Sequence, residues 1–178
     1  MASIPPTRES AIRLAQTKIS EKPLYIDTET TGLSKNDEVI EISIVDYDGA
    51  ILFSSMIKPT QPIPSGAEAI HHISNVDVQS APAWPVVWPK IREILYGRTI
   101  AAYNAPFDLG MIKQTHLRYR LPWRENLNMF DVLLLYSDYR GEWDPFKGSM
   151  KYFRLEEAGR YFQIPLPNAH RSAADALL

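Results

Sequence analysis

A mixed α/β domain, a five-stranded sheet flanked by helices, is the fold class that the sequence predicts. Two patterns carry that reading. Three strand-like runs follow one another between residues 24 and 57, the last two joined by the turn pair Asp48-Gly49. Short apolar runs then alternate with helical stretches, giving the order β-β-β-α-β-α-β-α-α. At 178 residues the chain has the size of one domain, without internal repeats or a linker.

Thr7 is a candidate N-cap for an amphipathic helix to Ser20, with Ile12, Ala15 and Ile19 on its apolar face. Residues 1–22 therefore read as a helical extension ahead of a domain spanning 23–178. Leu24-Tyr25-Ile26 is a short apolar strand that runs into a polar block. Val39 to Val45 and Ile51 to Ile57 complete an antiparallel meander. Residues 59–68, rich in proline and polar side chains, read as a loop. Trp84 to Tyr96 is helical, begun or interrupted at Pro85 and Pro89 and stopped by Gly97. Thr99 to Tyr103 is a buried strand, and Pro106 to Tyr119 a helix with proline in its first turn. Met129 to Asp131 is the last strand, followed by a helix to about Tyr139. Residues 140–150 read as a loop carrying Trp143 and Phe146, and Phe153 to Phe162 as a helix. Pro165 and Pro167 break that helix, and a final one starts near Arg171.

Composition narrows the chemistry. No cysteine is present, so disulfides and thiolate metal sites are excluded. A metal site built here must use carboxylate, imidazole, carbonyl and water, which favours Mg²⁺ or Mn²⁺ over structural zinc. No apolar run has the length of a membrane span, and no secretory h-region opens the chain, so a cytoplasmic location is expected. Net charge is −2, yet eight lysines and arginines fall between Lys113 and Arg154. They read either as a solvated surface or as a patch that guides a nucleic-acid backbone.

Four blocks carry the candidate chemistry. Asp27 and Glu29 end a strand two residues apart, so alternation puts both carboxylates on one face. Two acids side by side repel, and burying them is costly unless a cation sits between them. Asp108 closes Asn104-Ala105-Pro106-Phe107-Asp108 one turn into a helix, where the dipole alone would favour an acid. His170 and Asp175 lie five apart, about 140° around a helix. They do not share a face, so Asp175 belongs on the last helix and His170 in the loop before it. An ordinary imidazole, with a pKa of about 6.5, suits a general base.

The blocks Asp27-Thr28-Glu29-Thr30-Thr31-Gly32-Leu33, His71-His72-Ile73, Asn104 to Asp108 and His170 to Asp175 resemble those of the DnaQ-like 3′→5′ exonucleases of the DEDDh type. That group includes the epsilon proofreading subunit of DNA polymerase III, RNase T and oligoribonuclease. The resemblance runs from about Leu24 to Leu178. It implies a ribonuclease-H-like fold with strand order 3-2-1-4-5. It also implies two divalent cations, Mg²⁺ or Mn²⁺, on Asp27, Glu29, Asp108 and Asp175, with His170 as base. The first ion, on Asp27, Glu29 and Asp175, would carry the attacking water; the second, on Asp27 and Asp108, would stabilise the leaving 3′ oxygen. Such ions lie about 3.5–4 Å apart. Thr28, Thr30, Gly32 and Leu33 would hold the 3′-terminal nucleotide, Leu33 wedging against its base or else simply packing in the core. His71 would stand at the rim, Asn104 would hold its turn and Phe107 would pack beside the substrate. The usual block at the rim reads His-Gly-Ile, so His72 is a departure, either touching substrate or facing solvent. Arg171 occupies the position where the tyrosine type of the superfamily has Tyr, which leaves the histidine type. Asp131 matches a family acid that binds no metal and reads as structural.

The implied substrate is single-stranded nucleic acid with a free 3′ end, DNA favoured, yielding nucleoside 5′-monophosphates. A DNA polymerase is a candidate partner. An exoribonuclease of the same fold is the main rival, and a non-catalytic nucleic-acid or polymerase-binding module the second, although such a module should have lost one of the five residues. In the family the last helix runs on for further turns, so the chain is expected to stop short of the usual end.

Overall fold

The computed structural model describes residues 7–164 and 170–178. The central sheet has the order β3-β2-β1-β4-β5, from β1 (Leu24–Thr30), β2 (Val39–Val45), β3 (Ile51–Met56), β4 (Thr99–Ala102) and β5 (Asn128–Asp131). The first three strands form the expected antiparallel meander, while β4 lies parallel to β1 and β5 to β4. This is the sheet of the ribonuclease-H-like fold.

The helices are α1 (Arg8–Ser20), α2 (Ser65–His71), α3 (Trp84–Leu95), α4 (Ala105–Arg118), α5 (Val132–Arg140), α6 (Leu155–Tyr161) and α7 (Ser172–Leu177). Strand β2 is buried along its whole length because both of its faces are covered. Ile42 and Ile44 join Trp84, Ile91, Leu95 and Ile112 in the main core, whereas Glu41 and Ser43 alternate to the other face, under α7. α3 docks on α4 through the Trp84 indole N–H, which donates to Nδ1 of the buried His116 at 2.9 Å. Trp88 and Trp123 meet the same imidazole edge-on, at 4.4 and 5.0 Å between ring centres.

Four sequence expectations need correction. Residues 59–68 are not all loop, since α2 begins at Ser65. The prolines that look like breakers precede it, and Pro64 is its N-cap. Residues 140–150 are not a plain loop but hold a small hairpin, β6 (Trp143–Asp144) with β7 (Ser149–Met150). Helix α1 exists, with Thr7 as its N-cap, but its inner face is Ala11, Ala15 and Lys18. Ile12 and Ile19 are exposed, because α1 lies along α5 and places its smallest side chain, Ala11, at the contact. The helix expected over 153–162 is shorter, Leu155–Tyr161. The breaks assigned to Pro165 and Pro167 lie outside the described residues.

Candidate active site

Strand alternation sets the first half of the site. Along β1, Asp27 stands opposite Ser43 and Glu29 opposite Glu41, so all four share the sheet face that α7 covers. α7 adds Asp175. Carboxylate oxygens of Asp27, Glu29 and Asp175 all lie within 4.8 Å of one another. Asp108 comes from the other face of the sheet, 2% exposed at the start of α4, where its Oδ1 accepts from Thr28 Oγ1 at 2.7 Å. Three of the four expected acids thus converge directly, and the fourth stands beside Asp27 across β1.

This crowding shifts every one of these acids in the same direction. Burial, then the charges of Asp108, Glu29, Asp175 and Glu41, push Asp27 well above the ordinary carboxylate range. Burial and the Asp175 and Glu41 carboxylates raise Glu29 to about 8. Burial raises Asp108 to about 7 against the Thr28 hydrogen bond. Asp175 is raised as well, by burial. A protein gains nothing in stability from such a cluster alone. Hard oxygen donors that repel one another fit a divalent cation of the Mg²⁺ or Mn²⁺ type.

His170 lies in the loop before α7, as expected. Its φ of 68° is left-handed, its backbone N–H donates to Asp175 Oδ2 at 3.2 Å, and its Nε2 stands 3.6 Å from Glu156 Oε1 on α6. The ring is half exposed.

A cleft of about 460 Å³ opens beside Glu29. Thr28, Thr30, Gly32 and Leu33 line one wall, Phe107 and His71 another. Leu33 is 84% exposed, which rules out core packing. The tight turn before it depends on Gly32, because a Cβ there would sit 2.7 Å from Asp37 Oδ2. Asp37 anchors that turn by accepting from Thr31 Oγ1 and Ser34 N. His71 is 2% exposed and accepts from Ile73 N through Nδ1, so its proton sits on Nε2, which has no partner among the described residues. Burial lowers its pKa and keeps it neutral. His72 faces solvent as the left-handed C-cap of α2 with φ 58°, the conformation for which the family's usual glycine is suited. Asn104 is also left-handed, φ 69°, and its N–H donates to Asp131 Oδ1, which accepts from Leu133 N too. Asp131 thus caps α5 and ties it to the start of α4.

Sequence reading missed two parts of the site. One is α2, whose Ala67 and Ile70 complete the cleft wall. The other is Glu41, 4% exposed, which accepts from Arg171 Nη2 at 2.6 Å, from Ser172 N at 2.9 Å and from Ser172 Oγ at 3.0 Å. Burial alone would raise its pKa, but the Arg171 and Ser172 hydrogen bonds outweigh that and lower it. The signal was an acid breaking the apolar run of β2. Glu41 fixes the start of α7, and with it the bearing of His170 and Asp175. Glu41→Gln is expected to cut turnover about 10- to 100-fold, the usual cost of losing a group that orients ligands, with KM for an oligonucleotide little changed. Steady-state kinetics on a labelled strand decide this; an unchanged kcat refutes the orienting role.

The exonuclease family of RNase T matches residues 24–178. An uncharacterized exonuclease, CP81, of Escherichia phage 186 is 33% identical over 175 residues, covering 95% of this chain and 90% of that one. Among solved structures, exonuclease X in complex with 5′ overhanging duplex DNA is 27% identical with a TM-score of 0.59, covering 86% of this chain and 87% of that one. E. coli exonuclease I in complex with a dA16 oligonucleotide shares the fold, with a TM-score of 0.70 at 19% identity, over 86% of this chain and 38% of that one. PolC-type DNA polymerase III of Caldanaerobacter subterraneus is also similar, but the chain spans only 11% of it. The chain belongs to the DnaQ-like, RNase T-type family of 3′→5′ exonucleases. No described helix is long and apolar enough to cross a membrane.

Proposed function

We propose that this exonuclease removes nucleotides one at a time from the 3′ end of single-stranded DNA, releasing nucleoside 5′-monophosphates. The convergence of Asp27, Glu29 and Asp175 beside a cleft of nucleotide size carries the reading. Those three acids, with Asp108, would hold the divalent cations. When bound, the cations supply Lewis acidity at the scissile phosphate and lower the pKa of a water. His170 takes the proton from the attacking water, and Glu156 stands close enough to pair with the imidazolium that results. Leu33 and Phe107 grip the terminal base between apolar surfaces, and Gly32 lets the backbone approach it. His71 backs the cleft wall from beneath, its imidazole holding the turn at Ile73. Asn104 keeps α4, and so Asp108, at the right height. A cleft sized for one nucleotide supports the single-stranded substrate. Residues 1–22 are an extension ahead of the catalytic domain in this reading, α1 being its described helix, and a DNA polymerase is a candidate partner.

A digestion panel tests the proposal: linear single-stranded DNA, the same strand with a 3′-phosphate, a circular single strand and a short RNA, each with Mg²⁺ and again with EDTA. The linear strand should shorten from its 3′ end. A 3′-phosphate should block digestion, because a dianion would crowd the acid rim at Glu29. The circle should persist. Rapid cutting of the circle, or full activity in EDTA, would refute the assignment, and preference for RNA would move the substrate to the exoribonuclease class.

A further inference from the structure

We propose that the β6–β7 hairpin is a second contact for the single strand, a platform on which bases upstream of the cleft stack. The inference rests on the nuclease reading of the cleft and extends it to the rest of the substrate. The hairpin turn is built stiffly. Asp144 Oδ1 accepts from Phe146 N at 3.0 Å and Lys147 N at 3.2 Å, and Gly148 N donates to Asp144 O at 2.9 Å. Gly148 has a φ of 64°, which this closure needs. Pro145 stiffens the turn further. On that support the Phe146 ring is 99% exposed, with Trp143 59% and Tyr152 54% exposed beside it in sequence. A Phe left in water forgoes the free energy of burying its ring, so a turn that holds it outward suits a ligand with an aromatic face.

Charge identifies the ligand. Across residues 140–154 the cations are Arg140, Lys147, Lys151 and Arg154, and the acids are Glu142 and Asp144. Glu142 is engaged by Arg140 and Lys151, and the Asp144 carboxylate by the turn amides. Lys147 and Arg154 have no acidic side-chain partner among the described residues. Glu156 and Glu157 follow on α6, but Glu156 faces His170 and Glu157 accepts from the Arg154 backbone N–H, so the strip from 140 to 154 itself carries two net positive charges. Cations interleaved with exposed rings suit a single strand, whose phosphates need the former and whose bases stack on the latter. Two strands of two residues offer too little contiguous area for a stable protein interface, which buries about 1,200–2,000 Å² in all. The hairpin also joins elements that carry the site. Its far end leads to Phe153, whose carbonyl accepts from Tyr103 Oη at 2.8 Å, next to the Asn104–Asp108 block. α6 follows, carrying the Glu156 that faces His170.

Fluorescence anisotropy with 5′-labelled dT20 and dT3 in EDTA, where no cleavage intervenes, tests the platform on the full chain. Phe146→Ala and Trp143→Ala should each weaken dT20 binding about 5- to 100-fold, the range for one stacked base. Both should leave dT3 binding, and turnover of a mononucleotide phosphodiester with Mg²⁺, within twofold of the parent protein. Unchanged dT20 affinity in both variants, or no dT20 binding by the parent, overturns the platform and leaves the ring to a protein surface. An equal loss on dT3 and dT20 also overturns it, because the ring would then belong to the cleft. A parent protein that binds dT20 in the expected pattern but turns over no phosphodiester would defeat the cleft reading alone.

Discussion

His170→Ala is expected to lower turnover about 10²–10⁴-fold, the usual worth of a positioned general base, while affinity for Mn²⁺ stays close to that of the parent protein. The expectation follows from where the structure puts the ring. The three acids that cluster do so without it, and His170 touches Asp175 through its backbone N–H, which alanine retains. Its side chain is half exposed and among the described residues pairs with Glu156 at 3.6 Å, which leaves the ring able to turn toward a water. Left-handed backbone, φ 68°, holds the residue at the end of its loop, and alanine keeps that geometry with similar strain. Isothermal titration with Mn²⁺ and single-turnover cleavage of a labelled strand separate the two properties. Lost metal affinity with normal turnover at saturating Mg²⁺ would make His170 a ligand.

The frame of this site was legible in the sequence for a simple reason. Strand alternation fixes faces, so Asp27 and Glu29 had to point the same way, and a spacing of five had to separate His170 from the helix bearing Asp175. Motif resemblance supplied the strand order, which periodicity alone could not give. The misses have physical causes too. Residues 59–68 read as a loop for their prolines and polar side chains, yet Pro64 ends as the N-cap of α2. The face of α1 was assigned by apolar character, while the packing against α5 selected the small Ala11. Glu41 was hidden inside an apolar strand because its partners, Arg171 and Ser172, are some 130 positions away, and no local pattern reports a contact that distant. The hairpin at 143–150 has strands of two residues, too short to show alternation.

Asp27→Asn should abolish nuclease activity and yet raise the melting temperature of the metal-free protein at pH 8.5. Burial and the charges of Asp108, Glu29, Asp175 and Glu41 raise the folded-state pKa of Asp27 far above its unfolded value of about 4. For such a group the folded state binds more protons than the unfolded state at intermediate pH. Its contribution to stability is complete below the unfolded pKa and disappears as pH rises through the folded one. Glu29 at about 8 and Asp108 at about 7 extend the same loss to the alkaline side of neutrality. Asparagine keeps the shape at position 27 and removes one charge from that repulsion, so the gain should be large at pH 8.5 and small at pH 5.5. For a chain of this size each 1 kcal/mol appears as about 2–4 °C. Burial of His116 acts in the opposite sense, depressing its pKa, so that its share of stability is whole above the ordinary value of about 6.5 and is lost as pH falls from there through the lowered folded one. That term is common to both proteins and cancels in their difference. Mg²⁺ should raise the melting temperature of the parent protein, since it binds the folded cluster, and should do little for the variant. Thermal melts at the two pH values, with and without Mg²⁺, read all of this. A variant less stable than its parent at pH 8.5 without metal would mean that Asp27 is held by stabilising partners, and that the acids are not gathered there for a cation.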